Sequence, residues 1–301
     1  MPPTPVIDCH THVYPAEVCR APRAWAEARG EQHWADLVAP VGGKSIQGWS
    51  SPDSMLGAMD AAGVDQACLL GWYWTHEATC LWHNSVMAEW VQTATDRFFA
   101  FASIYPNDRV IEQLEDAMNL GFRGVGELHP GVQHFDARSP GWSRLADWCT
   151  THHWPVNLHV TEAVGANYAG AVATPLQRFV DMATTHPELK MILAHWGGGL
   201  AFFESNPVIR RTLANVAYDC AASPLVYDHQ IFQQMLALVG PDKLLFGSDF
   251  PLRIYPRKHR TPEMATFVQS IRAQSGFDEP TLAAFLGGNF QKRLTEPSKD
   301  G

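Results

Sequence analysis

His10 and His12 lie two apart in the segment Val6-Ile7-Asp8-Cys9-His10-Thr11-His12-Val13. The segment opens with apolar and β-branched residues, so it reads as a buried strand. Side chains two apart share a strand face, so both imidazoles point the same way. Two neutral imidazoles converging at a strand end are half of a transition-metal site. A satisfied polar strand end has the same pattern, so the rest of the chain has to decide.

Four further apolar runs end in a histidine or a carboxylate. Gly124-Val125-Gly126-Glu127-Leu128-His129 carries Glu127 and His129, and Asn157-Leu158-His159 carries His159. Leu193-Ala194-His195-Trp196-Gly197-Gly198-Gly199 carries His195, and Phe246-Gly247-Ser248-Asp249-Phe250-Pro251 carries Asp249. A core strand would otherwise end in a neutral turn residue. A divalent ion takes three or four N or O ligands and leaves a position for water, whose pKa drops to about 7. A carboxylate beside that water takes its proton, and a further histidine donates a proton or stabilises negative charge. Zinc is the ion expected, as one ion or two.

Eight short apolar runs, at 6–13, 63–72, 98–105, 122–128, 156–160, 191–195, 216–220 and 244–249, alternate with helical patterns. Asn107 is placed to cap a helix bearing Val110, Ile111, Leu114 and Met118, which Gly121 ends. Thr174-Pro175 opens another, with Leu176, Phe179, Val180 and Ala183 on one face. Strand–helix alternation implies parallel pairing, and eight units favour an α/β fold of the (β/α)8 TIM-barrel type. An open doubly wound sheet is the rival, but no Gly-x-Gly-x-x-Gly follows the first run. In a barrel the active site gathers at the C-terminal strand ends, where these polar residues fall. The chain is expected to be one domain over 1–301. A loop insertion at about 20–51, carrying Trp25, Trp34 and Trp49, is too long for an ordinary connection and is expected over the barrel mouth.

Of 301 residues, 46% are hydrophobic and 18% charged, with a formal net charge of −9. That suits a large core and, without a basic stripe, excludes a nucleic-acid partner. The six scattered cysteines form no Cys-x-x-Cys pair and suggest reduced thiols. No signal peptide or run of transmembrane length is evident, so a cytoplasmic protein without a membrane partner is expected. A homodimer is left as an option.

The motifs Asp8-Cys9-His10-Thr11-His12, Asn157-Leu158-His159, Leu193-Ala194-His195-Trp196-Gly197-Gly198 and Leu245-Phe246-Gly247-Ser248-Asp249-Phe250-Pro251 occur in an order that resembles the amidohydrolase superfamily. The resemblance is to the amidohydrolase-related branch that includes aminocarboxymuconate-semialdehyde decarboxylase. It spans nearly the whole chain and includes the closing Leu286-Gly287-Gly288-Asn289-Phe290-Gln291-Lys292-Arg293-Leu294. It implies a barrel, metal ligands at His10, His12, His159 and Asp249, and a catalytic His195 beside the metal. Glu127 departs from the decarboxylases of this branch and looks like the strand-4 acid of the superfamily's hydrolases. It reads equally as a ligand, even a bridge between two ions, and as a salt-bridged neighbour. His129 reads as substrate-facing or structural. Trp72 and Tyr105 are candidates for the substrate wall, and Arg253 or Arg257 for a carboxylate clamp.

The expected function is hydrolysis of a small-molecule amide, ester or lactone by metal-activated water, with His195 and Asp249 catalytic. The alternative is a metal-dependent non-oxidative decarboxylase or hydratase of a small carboxylic acid. A deoxyribonuclease-like enzyme is disfavoured by the acidic charge, and a metal-binding non-enzyme by the presence of both His195 and Asp249.

Overall fold

The computed structural model describes residues 4–165, 168–254 and 261–295; Arg257 lies outside them. The strands are β1 (Ile7–Thr11), β2 (Gln66–Leu70), β3 (Phe98–Phe101), β4 (Val125–Leu128), β5 (Val156–Leu158), β6 (Met191–Leu193), β7 (Val216–Asp219) and β8 (Leu244–Leu245). All pair parallel, in the order β1-β2-β3 and β4-β5-β6-β7-β8. Bridges Ala102–Val125 and Thr11–Phe250 join the two sheets at both edges and close the barrel. Each of the eight apolar runs contains one strand; Glu127 and Asp219 lie inside β4 and β7, while His12, His159, His195 and Asp249 follow the ends of β1, β5, β6 and β8.

Packing follows the strand alternation. Ala67, Leu69, Val156, Leu158, Met191 and Leu193 belong to the core shared with the helices. Their neighbours Cys68, Leu70, Phe99, Phe101, Ile192 and Ala217 form a second cluster with Phe290. Side chains from strands so far apart in the sheet order meet only across the barrel axis, and Phe290 stacks 6.0 Å from Phe99. Five of the six cysteines are buried, and all are free.

The helices following β1 are α1 (Ala16–Arg20), α2 (Pro22–Glu27) and α3 (Gln32–Val38). Their Trp25 and Trp34 pack with Tyr14, Trp72, Tyr73, Trp74 and Val132 in a core of their own. Buried Glu31 accepts hydrogen bonds from the Thr75 amide (2.8 Å), the Thr75 hydroxyl (2.7 Å) and the His76 amide (3.2 Å). The segment is thereby tied to the β2 loop. α4 (Pro52–Ala62), α5 (Glu77–Thr93), α6 (Val110–Asn119), α7 (Pro140–Thr151) and α8 (Leu176–Thr185) are further outer helices.

Two local expectations are corrected. Met118 is 43% exposed, while Gln113 of α6 is buried. The Gln113 amide accepts from the Tyr105 N–H and donates to the Tyr105 carbonyl, both at 2.9 Å, so a polar residue takes the inward position. Thr174 does not cap α8: Pro175 holds the N-cap position, and the Thr174 hydroxyl has no hydrogen-bond partner among the described residues. No helix among the described residues is long and apolar enough to cross a membrane.

Candidate metal centre

β1 delivers His10 and His12 to the mouth, both buried. His10 Nδ1 donates to Asp219 Oδ2 at 3.0 Å, and His12 Nδ1 faces the Leu70 carbonyl at 3.4 Å. A carbonyl only accepts, and Asp219 is held below the ordinary carboxylate range: burial raises it, but His10 outweighs burial. Each ring therefore carries its proton on Nδ1, and the two Nε2 lone pairs meet at 3.2 Å. Asp249 Oδ1 lies 3.8 Å from His10 Nε2 and 3.7 Å from His12 Nε2. Two ligands about 2.1 Å from a shared tetrahedral ion are about 3.4 Å apart. Three converging lone pairs at this spacing repel one another unless a cation lies between them, so the donor set fits a divalent metal.

Burial pushes the His10 pKa down, but Asp219, Glu127 and Asp249 outweigh it and raise it to about 9. His12 falls to about 4, through burial and then the charge on His10.

Glu127 stands on the other side of His10. Its Oε1 is 3.9 Å from His10 Nε2 and its Oε2 is 3.8 Å from His12 Nε2. Burial raises its pKa, but His159 and His10 hold the carboxyl well below the usual range. His159 Nδ1 donates to Glu127 Oε1 at 2.8 Å, and His195 Nε2 lies 3.5 Å from the same oxygen. His195 Nδ1 donates to the Ala221 carbonyl at 2.9 Å, which aims Nε2 at the cluster. Burial lowers the His195 pKa, but Glu127 and Asp249 raise it well above the ordinary value.

The geometry thus offers two donor groups, His10-His12-Asp249 and His10-Glu127-His195. His10 belongs to both, and its single Nε2 lone pair serves one ion. His159 is in neither group and contacts Glu127 and His195. The Trp72 ring is 5.1 Å from His12 and stacks on Tyr73 at 4.3 Å. Tyr105 and Arg253 are not drawn in: Tyr105 packs against the aromatic core of the α1–α3 segment, and Arg253 Nη2 donates to the Ser45 carbonyl at 2.6 Å.

His195 (φ 57°) and Asp249 (φ 62°) both occupy the left-handed region that residues with a Cβ rarely adopt. The turn continues through Trp196 and the three glycines. At Gly198, a Cβ would stand 2.7 Å from the Thr161 carbonyl oxygen. The glycine run therefore brings backbone close to the β5 loop.

Asp219 was not singled out in the sequence. It accepts from His10, from Asn157 Nδ2 (3.2 Å), and from the amides of His195 (3.1 Å) and Ala221 (3.0 Å). Its signal was a carboxylate late in an otherwise apolar run.

A parallel eight-stranded barrel with a His-x-His strand end, an opposing aspartate and two further mouth histidines defines the metal-dependent barrel enzymes. The amidohydrolase family model matches residues 7–290, and the chain belongs to that family. Comparison with curated protein sequences gives no match. Among solved structures the chain is similar to 5-carboxyvanillate decarboxylase from Sphingomonas paucimobilis, with 18% identity, TM-score 0.72 and coverage of 97% of this chain and 99% of that one. It is similar to a 2,6-dihydroxybenzoate decarboxylase complexed with 2,6-dihydroxybenzoate (17%, TM-score 0.69, 97% and 100%). It is also similar to 5-carboxyvanillate decarboxylase from Novosphingobium aromaticivorans, complexed with manganese and 4-hydroxy-3-methoxy-5-nitrobenzoic acid (15%, TM-score 0.70, 97% and 96%).

These comparisons overturn the expectation of hydrolysis: the similar structures named for a reaction on a stated substrate are decarboxylases. The physical reason lies in Glu127, on which that expectation rested. Its carboxylate bonds His159 and lies beside His10 and His12, and a carboxylate so placed does not by itself select hydrolysis. The protein is an enzyme of the amidohydrolase superfamily with a site for a divalent metal, and nothing singles out zinc.

Proposed function

We propose that the protein is a metal-dependent, non-oxidative decarboxylase of a small aromatic carboxylic acid. The observation that carries this reading is a one-ion donor set, His10 Nε2, His12 Nε2 and Asp249 Oδ1, beside an aromatic wall that includes Trp72 and Tyr73. The reactions named for the similar structures support it. Those three donors hold the ion, and Glu127 with its hydrogen-bonded His159 completes the set. Manganese is the proposed ion, since it accepts carboxylate and imidazole together. When bound, a divalent ion orients the substrate carboxylate and stabilises negative charge developing on the acid.

The residues around it do the rest. Asp219 holds the His10 tautomer. His195, whose protonated form Glu127 and Asp249 favour against burial, supplies a proton to the ring carbon bearing the carboxylate, and Asp249 relays it. The carbon–carbon bond then breaks and carbon dioxide leaves. The backbone strain at His195 and Asp249 supports these roles, since strained residues concentrate at working sites. Trp72 flanks the acid, while Tyr105 and Arg253 act only through the segment over the mouth. The whole chain works as one domain, with residues 20–51 covering that mouth.

The test is carbon dioxide release from a panel of hydroxybenzoates by the manganese-loaded protein. Release from at least one acid, abolished by chelation, is expected. No release from any of them overturns the reading.

A further inference from the structure

We infer that His129 is a fixed hydrogen-bond donor that selects substrates carrying a second acceptor oxygen, beyond the carboxylate that the metal takes. The ring is 1% exposed and wedged between two others. It stacks on His159 with centroids 4.8 Å apart and planes at 19°, and meets Tyr73 edge-on at 5.0 Å. His33 of α3 approaches from above at 6.2 Å.

Its tautomer is set by the turn that follows. The Gly131 N–H donates to His129 Nδ1 at 3.1 Å, and the Val132 N–H lies 3.4 Å from the same atom. A nitrogen that accepts carries no proton, so the neutral ring presents N–H at Nε2. That Nε2 has no acceptor among the described residues. The turn that carries it is held from both sides. Gln133 Oε1 accepts from the His129 amide at 3.1 Å, while Gln133 Nε2 ties the turn to the carbonyls of Trp74 (3.0 Å) and Ile104 (2.9 Å). A Cβ at Gly131 would stand 3.2 Å from His129 Cε1, so glycine there leaves the ring its place.

A donor that no protein group takes is open to an acceptor on a ligand. A locked N–H beside the aromatic wall is therefore paired by the ligand. A ring substituent oxygen, such as a hydroxyl, is the acceptor of matching size on an aromatic acid. Sites built to bond such a group reject analogues that lack it.

This inference rests on the aromatic-acid reading, so the experiment separates the two. Binding of benzoate and of 2-, 3- and 4-hydroxybenzoate to manganese-loaded protein is measured by calorimetry for wild type, His129→Phe and His129→Gln. Phe keeps the stacked ring and removes the donor; Gln retains an N–H at similar reach. Wild type is expected to bind at least one hydroxybenzoate about tenfold more tightly than benzoate, the worth of one hydrogen bond. His129→Phe should lose that preference while its benzoate affinity stays within about twofold, and His129→Gln should recover most of it. A preference that survives His129→Phe, or an equal loss for all four acids, overturns the selection role. Failure of metal-loaded wild type to bind any of the four overturns both readings.

Discussion

Asp219 accepts hydrogen bonds from His10 on β1, from Asn157 on β5 and from the backbone turns after β6 and β7. A carboxylate behind a ligating imidazole fixes its tautomer and raises its basicity. Asp219→Asn would set an amide N–H against one of these donors, so metal affinity should fall about ten- to a hundredfold. Competition against a chelating dye measures this, and unchanged affinity would remove Asp219 from the metal's support. His195→Asn takes away a proton donor and leaves His10, His12 and Asp249 in place. It should retain metal and lose about 10²- to 10⁴-fold in turnover; loss of metal instead would reassign His195 as a ligand. That His10, His12, Glu127, His159, His195 and Asp249 gather at one end of the barrel was legible because a polar residue late in an apolar run is conspicuous. Asp219 was hidden because Cys220 follows it and makes the run appear to end in a core residue. That Glu127 is bonded to His159 was not readable, since it depends on where two strands place their last residues.

Among the elements, α5 contributes a residue that links two strand ends. His83 Nδ1 accepts from the Trp72 amide at 3.3 Å, and its Nε2 donates to the Val13 carbonyl at 3.0 Å. Burial drives its pKa from 6.5 to about 4. The folded state therefore favours neutral His83. This contribution is complete above pH 6.5 and is lost as pH falls through about 4. A depression of that size is worth roughly 3 kcal/mol. His83→Gln keeps one acceptor and one donor without titrating in that window. Its urea-unfolding free energy should decline less than wild type's between pH 6.5 and 4, by roughly that amount; identical acid limbs would show that His83 carries no such load. The strands were legible from their apolar runs and the presence of α6 and α8 from the alternation, but not their N-caps: Arg109 and Pro175 hold those positions, not Asn107 and Thr174. The three short helices before α4 were not. They are held by Trp25, Trp34 and Glu31 against the β2 loop, which are contacts across the chain that no local periodicity records.

For the whole molecule, the seam between β8 and β1 is where barrel closure and the proposed metal site coincide. The Cys9 amide bonds the Phe246 carbonyl (2.9 Å), the Asp249 amide bonds the His10 carbonyl (2.9 Å), and the His12 amide bonds the Phe250 carbonyl (2.7 Å). His10, His12 and Asp249 thus lie on the closure between opposite ends of the chain. The eight runs made the barrel legible, but the reaction class was not, since hydrolases and decarboxylases of this family close the same seam with the same residue types. An ion bound here clips the longest loop in the fold and offsets repulsion among the clustered carboxylates. Chelation should lower the unfolding midpoint, and manganese should restore it in a concentration-dependent way. One ion per chain at a hundred times its dissociation constant adds about 2.7 kcal/mol. The double variant His10→Ala, His12→Ala should fold, carry no metal by elemental analysis and show no manganese-dependent shift in calorimetry. His195→Asn should keep the full shift. A double variant that still binds and responds to manganese would place the ion away from the seam.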